Sequence, residues 1–242
     1  MTGSCLLAKL GHFVDLTEDD EALLVALEKE ERHYRRNQIV RRAGTRVEHL
    51  FVVKAGWAVS FSIMDDGRRQ LLKLYFPGDI IDLADAGSPL APQDVKCVSD
   101  AVLCPFPKSG LEPIFKRAPR VTALLFAMSV RETNALTERI RAIGRFSAYE
   151  RVCYLLLEVR DRLAVLDPRA LEAFRMPLTQ LDIADLLGLT NVYVSKTLSR
   201  IASDGLIRRE GNRILLLAPK RMREICEYRG LAEVDVSWFP SA

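Results

Sequence analysis

Apolar residues recur at helical spacing between positions 178 and 217, and this is the clearest pattern in the chain. The pattern predicts a first helix over 179–187 that begins with the hydroxyl of Thr179 as its N-cap. Gly188 is expected to end this helix, because glycine enters the left-handed backbone of a helix terminus at little cost. The apolar positions that predict its buried face are Leu181, Ile183, Ala184, Leu186 and Leu187.

A second helix is predicted directly after this turn, capped by either Thr190 or Asn191 and running to about Ser203. Its apolar positions stand at i, i+4 and i+7 and its opposite face is polar and partly cationic. The buried positions are Val194, Leu198 and Ile201, and the polar ones are Asn191, Tyr193, Ser195, Lys196, Ser199 and Arg200. Such a helix fits a phosphate-rich groove, although a surface helical hairpin with a solvated face has the same pattern.

Two short β-prone runs, 206–209 and 213–217, follow around the turn Glu210-Gly211-Asn212. Between positions 170 and 230, ten Lys or Arg residues stand against seven Asp or Glu residues. The basic residues concentrate on the second helix and the hairpin, which is compatible with nucleic-acid binding. Helix, turn, helix and basic hairpin together predict a winged helix-turn-helix.

The first third of the chain has a different sequence pattern. A helix is predicted over 18–34, and short β-prone runs punctuated by glycine follow it. These runs are 39–40, 50–53, 58–63, 71–76 and 95–106, with a hairpin tip at 65–68. Strands at roughly even spacing predict a β-roll of jelly-roll type, so the fold class is α+β.

One long helix is predicted over 121–146, after short helical turns between Pro107 and Pro119. A helix of this length invites pairing with a second copy, although packing on its own domain is the alternative. The residues predicted to form the dimer contact are Val121, Leu124, Leu125, Met128, Ala135, Leu136, Ile140 and Ile143. Ser147 with Glu150 three residues later predicts a capping box for the next helix.

Composition narrows the class of protein. The 242 residues suffice for two domains, and no apolar run approaches the ~20 residues of a membrane span. No signal peptide is evident, so a cytoplasmic location is expected. Five dispersed cysteines without a paired spacing predict reduced thiols. No catalytic triad, metal-ligand spacing or phosphate loop stands out, and the chain is not expected to be an enzyme.

The order of β-roll, long helix and winged helix-turn-helix resembles the CRP/FNR family of bacterial transcription regulators. The segments that carry the resemblance are HLFVVKAGWAVSF, LYFPGDII, SAYERVCYLLLEV and LTQLDIADLLGLTNVYVSKTLSRIASDGLI. It implies a homodimer that binds an inverted-repeat DNA operator and acts with RNA polymerase. The domain limits predicted with it are 1–118 for the sensory β-roll, 119–146 for the dimerisation helix, 147–230 for the DNA-binding domain and 231–242 for a C-terminal tail.

Cyclic-nucleotide members of that family carry Gly-Glu and Arg-Ser or Arg-Thr after the PGD-like turn. Here the first pair reads Asp82-Leu83, and no arginine lies between Arg69 and Arg117. Because a buried cyclic phosphate needs a cationic partner, we expect no cyclic AMP or GMP bound in the family's usual way. Lys96 is the one objection, since it could reach inward from its strand. The effector-pocket candidates are Phe61, Tyr75, Asp82 and Lys96, with Trp57 and Phe76 as further aromatic candidates.

Other sensory members of the family hold a cofactor through cysteine or histidine side chains, and this chain has few of these. Iron–sulfur members use four thiolates, and only Cys5 lies near the N-terminus, so a cluster is not expected. A haem group held through a histidine stays open, with His12, His33 and His49 available. A thiol redox sensor acting through Cys97 or Cys153 is a further alternative, as is regulation without any ligand.

The resemblance also places the DNA-reading residues. Ser195 and Lys196 match the serine and the cation of the family's recognition helix, whereas Val192 replaces its glutamate. Valine cannot accept from a cytosine amino group but can contact a thymine methyl, so the operator should be related to the TTGAT palindrome without being identical. The candidate DNA contacts are Thr179, Thr190, Asn191, Val192, Tyr193, Ser195, Lys196, Arg200 and Arg213. The competing hypothesis is a ligand-binding module whose winged domain contacts a partner protein.

Overall fold

The computed structural model describes residues 3–81 and 83–240. The chain forms two compact units. The first, called the β-roll unit below, comprises Met1–Ser62, Lys73–Glu132 and Glu233–Ala242. The second, called the winged unit, comprises Ile63–Leu72 and Thr133–Ala232. In the described part of the chain, no helix combines the length and the apolar character needed to cross a membrane.

Eight strands build the β-roll. They are β1 (Arg32–Tyr34), β2 (Ile39–Arg41), β3 (His49–Ala55), β4 (Ala58–Ile63), β5 (Arg69–Tyr75), β6 (Ile80–Ile81), β7 (Asp94–Cys97) and β8 (Ala101–Pro107). They form two four-stranded sheets with the orders β1-β8-β3-β6 and β2-β7-β4-β5. The predicted β-roll is confirmed, but the run 95–106 divides into two strands, because the polar Ser99 and Asp100 form a turn between them.

The predicted helix over 18–34 is wrong in its second half. Two short helices, α1 (Cys5–Leu10) and α2 (Glu18–Ala26), begin the chain. A capping box between Thr17 and Asp20 starts α2, as the sequence indicates for a helix N-terminus. The charged residues after position 27 leave the helix, and β1 then pairs with β8. Pairing with a strand some 70 positions later is a tertiary effect that local helix propensity does not contain.

The long helix appears as expected. After α3 (Glu112–Arg117), α4 (Pro119–Arg145) runs for 27 residues. Three members of the predicted dimer contact are nevertheless buried in their own unit, where Val121, Leu124 and Leu125 are at most 4% exposed and join the core formed with α1 and α2. Met128 packs against the same core. The dimer contact predicted for Val121, Leu124 and Leu125 is therefore wrong, whereas that of the half-buried Met128 stays a prediction.

A different stripe of α4 is exposed. Six positions of α4, separated by alternating steps of four and three residues as in a coiled-coil heptad, are exposed, and we call them the α4 seam. They are Phe126, Val130, Thr133, Thr137, Ile140 and Gly144. Among the residues predicted for the dimer, Ile140 lies in this seam, Leu136 is exposed beside it, and Ala135 and Ile143 are half-buried.

The C-terminal tail belongs to the β-roll unit and does not form a segment of its own. Val234, Val236 and Phe239 pack against the core of that unit. Trp238 meets Phe126 edge to face, with ring centroids 6.3 Å apart. The compact units thus replace the four predicted segments: α4 is shared between them, and the tail returns to the first.

The winged unit contains the remaining elements. They are α5 (Ala148–Ala164), β9 (Ala173–Arg175), α6 (Gln180–Leu187), α7 (Asn191–Ser203), β10 (Ile207–Glu210), β11 (Arg213–Leu216) and α8 (Pro219–Ile225). The Ser147–Glu150 capping box of α5 forms as predicted. The hairpin gains a third strand, in the order β10-β11-β9, from Ala173–Arg175, for which the sequence pattern predicts no strand.

Candidate nucleic-acid interface

Local sequence signals fix the turn between α6 and α7. Thr179 caps α6, its hydroxyl accepting from the Asp182 amide at 3.0 Å and donating to the Asp182 carboxylate at 2.7 Å. Gly188 ends the helix in the left-handed region at φ +64°. Of the predicted buried face, Leu181 is 54% exposed, because position 181 lies in the first turn on the outer side of the helix.

Thr190 is the cap of α7, which decides between the two predicted alternatives. Val194, Leu198 and Ile201 are buried as predicted, so the opposite face of α7 is fixed outward. Asn191, Val192, Tyr193 and Lys196 are all exposed on that face, and Ser195 is half-buried. Val192 is 64% exposed, unusual for an apolar residue in a well-packed helix, and suits contact with a base methyl.

Some predicted contacts have other partners. The Thr190 hydroxyl accepts from the Tyr193 amide at 3.2 Å, and the Thr179 hydroxyl is used in the cap of α6. Arg200 lies over the Tyr149 ring and 4.0 Å from Asp204. These three residues remain exposed, but their polar groups are held by the protein, which leaves the first turns of α7 as the main reading surface.

The wing carries exposed arginines. Arg208 and Arg209 lie on β10, and Arg213 lies on β11. Strand β9 places Arg175 opposite Arg213 in the register, a cation that the sequence reasoning missed. The only signal for it was the three-residue alternation Ala-Phe-Arg, too short to predict a strand. Among the described residues none of these four arginines has an ion-pair partner, so all are available to phosphates.

Two acidic residues near this surface are neutralised within the winged unit. Arg69, from the segment Ile63–Leu72, lies 2.7 Å from Asp182 and 2.6 Å from Asp185. All three side chains are largely buried. Because both carboxylates on α6 face an arginine, α6 does not set two uncompensated negative charges beside the exposed face of α7.

The predicted effector residues lie in the β-roll unit. Phe61, Tyr75 and Lys96 are buried, with the Lys96 ammonium 5.7 Å from the centre of the Phe61 ring. Trp57 and Phe76 pack together edge to face and are also buried, so these aromatics serve as core. Asp82 lies outside the described residues.

The histidines considered for haem are at the surface. His12, His33 and His49 are each exposed and lie in different parts of the β-roll unit. Over the range that the structure describes, no three His, Cys, Asp or Glu side chains cluster closely enough to hold a metal ion. The described geometry therefore offers no preformed metal centre.

All five cysteines are buried free thiols. Burial raises the pKa of Cys97 and of Cys153 to about 12, and the pKa of Cys104 and of Cys226 to about 11. Burial also raises the pKa of Cys5. Since the thiolate is the reactive form, these residues lack the accessible, acidic thiol of a redox sensor.

We therefore expect iodoacetamide at pH 7.5 to leave the native protein unmodified, whereas the protein unfolded in guanidinium chloride should gain five carbamidomethyl groups. Intact-mass spectrometry measures both, and DNA binding after treatment of the native protein should be unchanged. Rapid native labelling of Cys97 or Cys153 with loss of DNA binding would restore the redox-sensor hypothesis.

Two family models match different parts of this chain. Residues 31–118 match the model of the cyclic nucleotide-binding domain, and residues 150–225 match that of the Crp-like helix-turn-helix domain. The transcriptional activator protein FnrL of Cereibacter sphaeroides is 32% identical, over 77% of this chain and 75% of that protein. The nitrogen fixation regulation protein FixK of Bradyrhizobium diazoefficiens is 29% identical, over 68% of each.

The structure of FixK2 from Bradyrhizobium japonicum is similar with a TM-score of 0.73 and 28% identity. The similarity covers 81% of this chain and 96% of that one. The names of these relatives are those of a transcriptional activator and a regulation protein, in agreement with the prediction that this chain is not an enzyme.

Proposed function

The chain belongs to the CRP/FNR family of DNA-binding transcription regulators, and from that premise we propose that it binds an inverted-repeat operator as a homodimer. Each α7 helix enters a major groove and each wing contacts the flanking backbone. RNA polymerase is the partner on which the bound dimer acts. The observation that carries the proposal is the exposed outer face of α7, with Val192 and Lys196 in its first two turns.

The chemistry of each side chain determines which part of the DNA it would contact. Lys196 and Ser195 can donate to base edges, and Val192 can contact a thymine methyl. The wing arginines carry no sequence information and position the protein through phosphates. The exposed seam of α4 supports the dimer, because its large apolar residues Phe126, Val130 and Ile140 are buried when a second copy pairs along the heptad positions. A two-fold dimer then separates its half-sites by about one helical turn, ~34 Å.

Salt dependence tests the proposal against the alternative of a protein-binding module. We expect the affinity for an inverted-repeat duplex to fall steeply with KCl, since each neutralised phosphate contributes a log–log slope of about −0.9. Fluorescence anisotropy with a scrambled duplex as control measures this. A duplex affinity that does not vary with salt, or no binding, would contradict the proposal.

Lys196→Ala should weaken binding to the operator by ~1–3 kcal/mol, because it removes a donor to a base edge. Lys220→Ala is the matched control, since Lys220 is an exposed lysine of the same unit on α8. Anisotropy on operator and scrambled duplexes separates the two effects: only Lys196→Ala should lower the ratio of the two affinities. Equal ratios for the two variants would remove Lys196 from base recognition.

A signal other than a cyclic nucleotide is part of the proposal. The resemblance assigns the contact with a cyclic phosphate to an arginine, whose guanidinium binds phosphate in bidentate geometry, and no arginine lies between Arg69 and Arg117. The buried cation of that segment, Lys96, lies against the Phe61 ring. Isothermal titration with cyclic AMP and cyclic GMP should give no micromolar binding, and binding of either in that range would refute this part.

A further inference from the structure

We propose that a groove in the β-roll unit, beside the start of α4, binds an amphipathic monocarboxylate, a molecule with an apolar body and one carboxylate. The groove has a volume of about 520 Å³, in the range of small-molecule sites. Its walls come from the short helical turns at Ala84–Gly87 and Lys108–Leu111 and from α3 and α4. The lining residues that matter here are Leu83, Lys108, Leu111, Phe115, Leu125 and Phe126.

The apolar part of the groove is only half covered by the chain itself. Leu111 and Leu125 form its buried floor, each 4% exposed. Phe115 and Phe126 stand at its rim, 55% and 62% exposed. Two large aromatic side chains left this open around one concave surface indicate a binding site for apolar matter.

Charge decides which apolar ligand fits. Among the described residues that line the groove, Lys108 is the one that carries a charge, and its ammonium donates to the Ser88 carbonyl at 2.7 Å, which holds it in place. An ammonium has three donors, and within the described chain Lys108 has no carboxylate partner. The groove hydroxyls of Thr122 and Ser129 bond to helix carbonyls, at 3.1 Å each, and so add no charge.

A groove with one cation and apolar walls fits a ligand that has one negative charge on an apolar body. A phosphate diester or a diphosphate would call for several cationic or amide donors, and a neutral hydrocarbon would leave the charge of the ammonium unpaired and its donors beyond the Ser88 bond without an acceptor. The carboxylate of the ligand would accept from Lys108, and its chain would lie between the two phenylalanine rings.

The site touches the helix seam through Phe126, which lines the groove, contacts Trp238 and occupies the seam of α4. A ligand that contacts Phe126 would therefore change how the two copies pair and how tightly the dimer binds DNA. This regulatory consequence rests on the proposed function, whereas ligand binding itself does not depend on it.

Isothermal titration of the full-length protein with decanoate, below its micellar concentration, tests the site. We expect decanoate to bind roughly tenfold more tightly than 1-decanol, as a charge-assisted hydrogen bond contributes. Lys108→Gln should abolish that preference, and Lys116→Gln, an exposed lysine outside the groove, should not. Gly87→Leu should block binding, because Gly87 lines the groove and a larger side chain at this position is expected to narrow it.

No heat with decanoate would overturn the proposal and would indicate that another chain covers the groove in the dimer. Equal binding of decanoate and 1-decanol, or binding that Gly87→Leu leaves intact, would overturn it as well. DNA binding of each variant without ligand serves as the separate readout. If it persists while decanoate binding fails, this inference is wrong and the proposed function stands.

Discussion

Ile140→Glu should convert the protein into a monomer and lower its affinity for an inverted-repeat operator at least about a hundredfold. The physical reason is that Ile140 is the most exposed of the large apolar residues of the α4 seam, at 72% in the single chain. In the proposed dimer this side chain meets its symmetry mate, so two glutamates would bring like charges together in an apolar contact. The second half-site is then lost, and with it an avidity gain of about 10²–10⁴.

Size-exclusion chromatography with light scattering gives the mass, and anisotropy gives the affinity. Asn134→Glu is the matched control, because its position flanks the seam and leaves the new charge in water. Folding should be unaffected in both variants, as each residue is exposed in the chain. An Ile140→Glu protein that remains dimeric would show that α4 pairs through another face.

Arg139→Met should lower the free energy of unfolding by about 3–5 kcal/mol, because removal of one partner leaves a buried charge uncompensated. Arg139 lies 2.7 Å from Glu158 and also donates to the Leu72 carbonyl at 2.9 Å. Glu158 is 1% exposed, and its other cation, Arg162, is 3.8 Å away. Arg139 thereby fixes α4 to α5 within the winged unit.

Guanidinium chloride denaturation measures the loss. The double variant Arg139→Met, Glu158→Met should recover most of it, since replacing both members of a buried pair by apolar residues is often neutral. Arg145→Met is the control, because Arg145 is exposed on the same helix, and it should change stability by well under 1 kcal/mol. A loss of less than 1 kcal/mol for Arg139→Met would show that water or Arg162 compensates Glu158 fully.

Signals that act within a few residues were readable in the sequence. The capping boxes at Thr179 and Ser147 and the reversal at Gly188 each depend on neighbours three or four positions away. The outward face of α7 followed from its buried stripe. These features were enough to predict the helix-turn-helix and the side of α7 that carries Lys196.

The features that could not be predicted from the sequence depend on contacts between residues that lie far apart in the chain. Helix α4 has two apolar stripes, and periodicity cannot tell that Val121, Leu124 and Leu125 pack inward while Phe126 and Val130 face outward. The pairing of Arg69 with Asp182 joins residues 113 positions apart. Strand β9 forms only because β11 lies beside it. The groove at Lys108 likewise forms only where residues 83–87 meet the consecutive elements between Lys108 and Ser129.

Selection of bound duplexes from a random library tests the central claim most directly, because it requires no prior choice of operator. The full-length protein should enrich inverted repeats with half-site centres about one helical turn apart, related to TTGAT but altered where Val192 reads the base. Enrichment of single, unrepeated sites, or no enrichment over the input library, would contradict the account of a dimer that reads DNA through α7.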